Sequence, residues 1–179
     1  EYDSTWGYIA NSGFSDKFDI HKAENFQPKA GLNPNLNAAI KKYDKIGNFF
    51  ENSAWIIKND KYGFIDKNGK EFIAPYYDRA YFFSDGLASV KKGGKWGFID
   101  KANAFQISLQ YDGALPFSEG LASVKKKKYW GYINKSGKLV IPYRFEMAWR
   151  FSEGLAPVQI DGKWGFINKS GDIIIQPKY

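Results

Sequence analysis

A Trp or Tyr followed by Gly returns every 34 residues, at Tyr62-Gly63, Trp96-Gly97, Trp130-Gly131 and Trp164-Gly165. A fifth copy, Trp6-Gly7, stands 56 residues before Tyr62, which is one period plus an insertion of 22. Self-similarity at a fixed period of this size implies tandem units that bury their apolar surface against one another. Two further anchors keep the same spacing. An aromatic recurs 15 residues after each pair, at Tyr77, Tyr111, Phe145 and Tyr179, and Tyr43 falls in the same slot once the insertion is removed. Phe-Ser-acid-Gly-Leu-Ala occupies 83–88, 117–122 and 151–156, with a worn copy from Phe49 to Ala54.

The turn residues agree with this register. The stretch 87–100, LASVKKGGKWGFID, reads as two strands around Gly93-Gly94. The equivalent pairs are Asn59-Asp60, Lys127-Lys128 and Asp161-Gly162. Gly, Asn and Asp tolerate the positive φ of a tight hairpin, so the lysine pair predicts a strained or looser turn. A second turn follows at Ser12-Gly13, Asn68-Gly69, Ala102-Asn103, Ser136-Gly137 and Ser170-Gly171. Gly86, Gly120 and Gly154 mark a third position, with Asn52 in the worn copy. Asn is the usual non-Gly visitor to the left-handed region, so Gly-to-Asn exchange signals a backbone constraint.

Pairing Lys92 with Lys95 places Val90 opposite Gly97 and Ala88 opposite Ile99 on one face, with Trp96 and Phe98 on the other. Both faces then carry apolar groups, and both need a cover. Gly97 is expected to leave room for close approach of a neighbouring chain segment. A buried indole removes roughly 150–250 Å² from water and makes the Trp a strong repeated stabiliser. The expected fold is all-β: tandem 34-residue, three-stranded antiparallel units in an open, curved stack, joined by links such as 76–86. A small β-propeller is the alternative, although blades of about 40–45 residues are commoner there. The chain reads as a single repeat domain, 1–179. Its first cycle spans about 1–42, and the others span 43–76, 77–110, 111–144 and 145–179.

The insertion 14–42 fits no cycle. Leu36, Ala39, Ile40 and Tyr43 form one face of a short helix, opened by Asn-Pro-Asn, that must end before Phe49. It reads as a terminal cap, with a lid or docking element as the alternative.

The whole pattern, W-G-[FY]-I-[DN]-K-[SN]-G followed by I-x-P, Y-D-x-A and F-S-[ED]-G-L-A-x-V-K, resembles the WG-repeat family of bacterial β-rich repeats. The match covers about 43–179, and 5–13 more weakly. Tyr62 in place of Trp, Asn103 in place of Gly and the segment 14–42 depart from the pattern. The resemblance implies a non-catalytic repeat region, often attached to other domains and often found in exported or envelope proteins. It carries no defined active site. Trp6, Tyr62, Trp96, Trp130, Trp164, Gly7, Gly63, Gly97, Gly131 and Gly165 are its structural anchors.

Composition narrows the chemistry. There is no cysteine, and His21 is the single histidine, which leaves no thiolate or His-rich metal site. No metal or other cofactor is expected, and no glycine-rich nucleotide cradle opens a helix. No apolar run is long enough for a transmembrane helix. The net charge of +7 is carried mostly by lysine, with arginine only at 79, 144 and 150. Lysine suits a solvated face, so nucleic acid, although Lys125–Lys128 with Tyr129-Trp130 could attract a single strand, is a minor alternative.

Acids recur at Asp66 and Asp100, replaced by Asn134 and Asn168, and again at Asp85, Glu119 and Glu153. Free Asp/Asn exchange suits turn hydrogen bonds and defeats a general acid. Ser84, Ser118 and Ser152 lack a nearby base and read as turn caps. No catalytic residue is expected, apart from the weaker alternative of His21 with Asp16, Asp19 or Glu24.

Variation inside a constant frame is the positive signal. Arg79, Tyr81 and Phe82 correspond to Lys45, Gly47 and Asn48, to Gly113, Leu115 and Pro116, and to Met147, Trp149 and Arg150. Arg79, Tyr81, Phe82, Trp149 and Arg150 are the candidate ligand-binding residues. The expected function is a non-catalytic scaffold for a protein or glycan partner, in an extracellular or cell-envelope setting, as part of a larger chain or assembly. The alternatives are a spacer or targeting region of a larger enzyme or secreted protein, and a cytoplasmic location.

Overall fold

The computed structural model describes residues 34–178. Trp6, Gly7, the turn Ser12-Gly13, His21 with its neighbouring acids, the insertion up to residue 33 and Tyr179 lie outside the described residues. Four antiparallel four-stranded sheets follow one another along the chain. The first contains β1 (Lys45–Ile46), β2 (Ser53–Lys58), β3 (Lys61–Asp66) and β4 (Glu71–Tyr77). The second contains β5 (Arg79–Ser84), β6 (Leu87–Lys92), β7 (Lys95–Ile99) and β8 (Phe105–Tyr111). The third contains β9 (Gly113–Ala114), β10 (Leu121–Lys126), β11 (Tyr129–Asn134) and β12 (Leu139–Phe145). The fourth contains β13 (Met147–Ala148), β14 (Leu155–Ile160), β15 (Lys163–Asn168) and β16 (Ile173–Ile175).

Each unit therefore has a fourth, leading strand where the sequence reads only a link. It is short or bulged, at β1, β5, β9 and β13, and has little alternation to betray it. The central hairpin has the expected register, with Lys92 opposite Lys95, Val90 opposite Gly97 and Ala88 opposite Ile99. The turn residues hold positive φ at Asn59, Asp60, Gly93, Gly94, Lys127, Asp161 and Gly162. Lys127, at φ 56, is the strained member, because a lysine side chain gains nothing in the left-handed region.

The Gly of each Trp-Gly pair has a precise structural cause. In the first three sheets the ladder between the third and fourth strands shifts register beside it. A Cβ on Gly97 would lie 2.6 Å from the Ile107 carbonyl oxygen. The same clash would arise at Gly63, Gly131 and Gly165 against the carbonyls of Ile73, Ile141 and Ile175. The close approach comes from the bulged neighbour strand in the same sheet.

Every sheet presents one face of large side chains and one of small. In the first interface Trp55, Tyr62, Phe64, Ile73 and Tyr77 meet Ala80, Phe83, Ala88, Val90 and Ile99. The second and third interfaces repeat this pairing. One ring pair recurs in each, at centroid distances of 4.8, 4.8 and 4.9 Å: Phe64–Phe83, Phe98–Phe117 and Tyr132–Phe151. In the first three units the aromatic two places after the Trp or Tyr thus lies inside an interface. Phe64, Phe98 and Tyr132 are wholly buried, whereas Trp130 and Trp164 are half-buried. Tyr62 and Trp96 are buried, as expected for the anchor position.

A line of carboxylates ties the sheets together. Glu51 accepts the Gly86 N–H, Asp85 the Gly120 N–H and Glu119 the Gly154 N–H, each 35 residues ahead. These acids and their following Gly or Asn both sit at positive φ, which turns the N–H outward toward the preceding unit. Lys169 pairs with Glu119 across the same joint at 2.9 Å.

The helix α1 (Pro34–Lys42) covers the rear of the first sheet. Pro34 opens it, and Lys41 and Lys42 lie in its last turn, where the helix dipole favours cations. Leu36, Ala39 and Tyr43 pack on Ala54, Ile56 and Ile65, the small-residue face. The helix therefore stands where a preceding sheet would stand, as a cap. Among the described residues each core cluster joins only consecutive elements, and none joins the first sheet to the fourth. The stack is open.

Candidate functional site

The leading strands lie on the inner side of the stack, as one contact shows. The Arg150 guanidinium, from the fourth sheet, sits 5.3 Å from the centre of the Phe82 ring in the second. Skipping a sheet in this way requires the leading segments to converge. Phe50, from the first unit, stacks on the same ring, 4.1 Å from Phe82 at 26°. Three units thus contribute one cluster, Phe50–Phe82–Arg150.

Local backbone explains why these side chains face out of the sheets. The β5–β6 ladder shifts register between Ala80 and Phe83, so Tyr81 and Phe82 occupy a bulge. A bulge frees side chains from the strand's alternation and re-aims them. In the fourth unit β13 ends at Ala148, the Trp149 N–H still donates to the Pro157 carbonyl, and pairing resumes at the Ser152–Leu155 bridge, leaving Arg150 between. Phe50 belongs to the matching Phe50–Ser53 bridge of the first unit. Phe50 is 43% exposed, Phe82 is half-buried and Arg150 is exposed. Arg150 forms no carboxylate ion pair among the described residues.

The expected site residues divide among three places. Phe82 and Arg150 come together as described. Trp149 is half-buried beside them, and its carbonyl accepts the Tyr132 hydroxyl at 2.8 Å, so it is a supporting residue more than an exposed anchor. Tyr81 lies flat on Trp96, with centroids 5.2 Å apart at 10°. Arg79 is exposed at the hairpin end, in a cleft of about 380 Å³ lined also by Asp44, Lys45, Ile57, Asp60, Tyr62 and Asp78. Phe50 was not among the sequence candidates. Its slot holds Ser84, Ser118 and Ser152 in the other cycles, and that departure from a constant frame is the signal that could have found it.

The recurring acids have structural partners. Asp100 Oδ1 accepts the N–H groups of Ala102 and Ala104, and Asn134 Oδ1 those of Ser136 and Lys138. Asp66 and Asn168 do the same in their turns. Both side chains supply the one oxygen the turn needs, which accounts for their exchange. The Ala104 N–H leads in holding Asp100 below the usual carboxylate range. At the hairpin ends Asp44, Asp78, Asp112 and Glu146 accept the N–H of Asn59, Gly93, Lys127 and Gly162. Lys61 and then the Gly93 N–H keep Asp78 low, and Lys95 and then the Lys127 N–H keep Asp112 low.

Ser118 Oγ donates to the Phe151 carbonyl of the next unit, a bond between sheets and not the cap of its own turn that the sequence suggested. Lys126, Lys127 and Lys128 are exposed at a hairpin end with Tyr129, as a solvated tip would be. No group of three or more His, Cys, Asp or Glu able to hold a metal occurs among the described residues. The described helix is too short to cross a membrane.

A family model for the WG containing repeat matches residues 33–62, 62–96, 96–130, 130–164 and 164–179. No curated protein matches the chain. Among solved structures the chain is similar to the extracellular domain of a hybrid two-component system from B. thetaiotaomicron, at 13% identity and a TM-score of 0.48. That likeness covers 76% of this chain and 22% of the other, so this chain spans under a quarter of it. It is also similar to a plant lectin with two metal binding sites from Cicer arietinum, at 16% identity over 71% of this chain and 88% of that one, with a TM-score of 0.31. A hemopexin fold protein from cow pea gives 13% identity over 71% and 88%, with a TM-score of 0.33.

Proposed function

This chain belongs to the family of WG containing repeats, and from that premise we propose that it is a non-catalytic scaffold that holds a protein or glycan partner on the inner side of its stack. The observation that carries the reading is the Phe50–Phe82–Arg150 cluster, assembled from three separate units. Phenylalanine rings, one exposed and one half-buried, beside an arginine that forms no ion pair among the described residues belong to the aromatic and arginine classes enriched in interfaces. A partner's aromatic, sugar face or carboxylate has a matching surface there: stacking on Phe50 or a charge-assisted bond to Arg150. The acids that recur in every unit serve as turn and hairpin acceptors, which supports a role without catalysis. An extracellular or envelope location goes with this reading on the family's habit alone.

The test is capture on peptide and glycan arrays by the chain and by Phe82→Ala and Arg150→Ala variants. Each substitution is expected to weaken capture by ~10-fold or more, the loss of about 1.4 kcal/mol at an interface centre. Thermal unfolding of each variant separates a lost partner from a lost fold, since surrounding groups desolvate the Arg150 guanidinium and lower its pKa even though the residue is exposed. Capture that survives both substitutions would move the binding surface elsewhere, and the Arg79 cleft would be next to be tested.

A further inference from the structure

The central hairpins end on one rim of the stack, together with the links that enter each sheet. The turns between third and fourth strands lie on the opposite rim. Charge is divided unequally between the two. Around the hairpin ends and entering links of the second and third units stand eight lysines and arginines against two acids, Asp78 and Asp112. The opposite rim of the same units has three bases and three acids. The chain's net charge of +7 is thus focused at two adjacent hairpin ends.

Two observations separate this patch from an ordinary solvated rim. The first is strain. Asn59, Gly93 and Asp161 occupy the slot of Lys127 in the other hairpins, and all suit its positive φ. Lys127 takes φ 56 with no benefit to the turn, and strain of this kind is held where a side chain serves a function. The second is unrelieved repulsion. Arg79 stands directly opposite Lys91, and Lys92 opposite Lys95, and facing like charges destabilise a ladder. In the first unit the matching Lys58–Lys61 pair is neutralised by Asp44 and Asp78. Here only Lys95 has a carboxylate, Asp112 at 2.5 Å. Arg79, Lys91, Lys92 and the lysines at 125–128 form no carboxylate ion pair among the described residues.

We propose that this rim binds a linear acidic polysaccharide, whose carboxylates or sulfates run along Arg79, Lys91, Lys92 and the lysines at 125–128. A chain fits better than a flat surface. The flanking hairpin ends carry Asp60 and Asp161, and an anionic bilayer laid on the rim would meet those acids as well. Stacked nucleobases fit less well, because the exposed rings of the patch already hold an ammonium over one face. Lys92 Nζ lies 3.7 Å from the centre of Tyr76, and Lys128 Nζ 5.2 Å from that of Tyr129. Lysine, a compact point charge, also suits scattered single anions. The site is separate from the Phe50–Phe82–Arg150 cluster and does not depend on it.

The experiment measures binding of the 179-residue chain to heparin, for sulfates, and to polygalacturonate, for carboxylates, at low salt. Single-stranded DNA, poly-glutamate and phosphatidylglycerol vesicles are the comparison probes. Binding to either polysaccharide is expected, and the tighter one identifies the anion. Lys126→Gln with Lys128→Gln should weaken it ~10-fold and flatten its salt dependence. Lys135→Gln with Lys138→Gln, on the opposite rim of the same unit, removes the same charge and should change it by less than ~2-fold. All four lysines are exposed, so both double variants should fold. Lys127→Asn should weaken binding ~3-fold while raising the thermal midpoint, a split that a purely structural lysine would not produce. Equal losses from the two double variants overturn the proposal, because net charge alone is then acting. So does the absence of binding to both polysaccharides, or tighter binding to any comparison probe.

Discussion

At the scale of single residues, the glycines divide into two kinds with different sensitivities. Gly97 has ordinary backbone, but a Cβ there would press on the Ile107 carbonyl at 2.6 Å. Gly86 has open space around it and φ +83. Gly97→Ala should therefore cost about 2 kcal/mol or more, through displacement of a paired strand, and Gly86→Ala about 1 kcal/mol, through backbone strain alone. Urea titration of the two variants checks the difference, and similar costs would mean the bulge gives way. The sequence made the need for Gly97 visible but not its cause, because a register shift between β7 and β8 leaves no mark in residue type. The Asp/Asn exchange was more legible, since one acceptor oxygen is all that the turn requires. Asp100→Asn is expected to stay within about 0.5 kcal/mol of the parent, and Asp100→Ala to cost about 1 kcal/mol, by the same titration.

At the scale of elements, the central hairpins were readable to the residue, and the leading strands were not. Hairpin register follows from turn chemistry and from alternation on two apolar faces. The leading strand has two paired residues in three of the units, and in the second it is broken by a bulge. No periodicity can accumulate over such lengths. The candidate site suffered for the same reason: its residues sit in those breaks, and their convergence depends on the curvature of the whole stack. Lys127 is an element-level defect that can be repaired. Lys127→Asn suits φ 56 and keeps the N–H that Asp112 accepts, so it should raise the thermal midpoint by a few degrees. The cap is similarly testable, because Leu36 is 3% exposed and holds α1 to the first sheet. Leu36→Ala should cost about 2–3 kcal/mol, read as earlier hydrogen exchange in β2 and β3 than in β14 and β15.

At the scale of the molecule, nearest-neighbour packing makes the number of units adjustable. Deleting residues 88–121 joins Leu87 to Ala122 and restores the motif Leu-Ala-Ser-Val. The shortened chain should fold, with a urea slope lower by about a quarter. It brings the Arg150 unit one place closer to Phe82 and so disrupts the inner cluster. A partner-binding scaffold then loses its partner, whereas a spacer keeps the function of its parent protein.

Proton linkage also acts on the whole fold. Asp44, Asp78, Asp100, Asp112 and Glu119 are held below their ordinary values by backbone N–H groups and lysines. Their contribution is present above about pH 4 and is lost as pH falls through the lowered values. Burial raises Tyr77, Tyr111, Tyr132 and Tyr143, so their contribution is present below about pH 10 and is lost as pH rises above it. Stability should be flat between these limits and fall beyond both, with Tyr132→Phe reducing the alkaline fall.

The ladder of acids also bears on how such a gene can change length. Each carboxylate finds its glycine by counting forward, never by reference to either terminus. Unequal recombination that adds or drops whole periods leaves every surviving rung intact. A slip of a few codons within one link breaks a single rung and is confined there. Inheritance in this protein can therefore proceed in quanta, and the same property makes its span a variable on which selection can act without redesigning the parts.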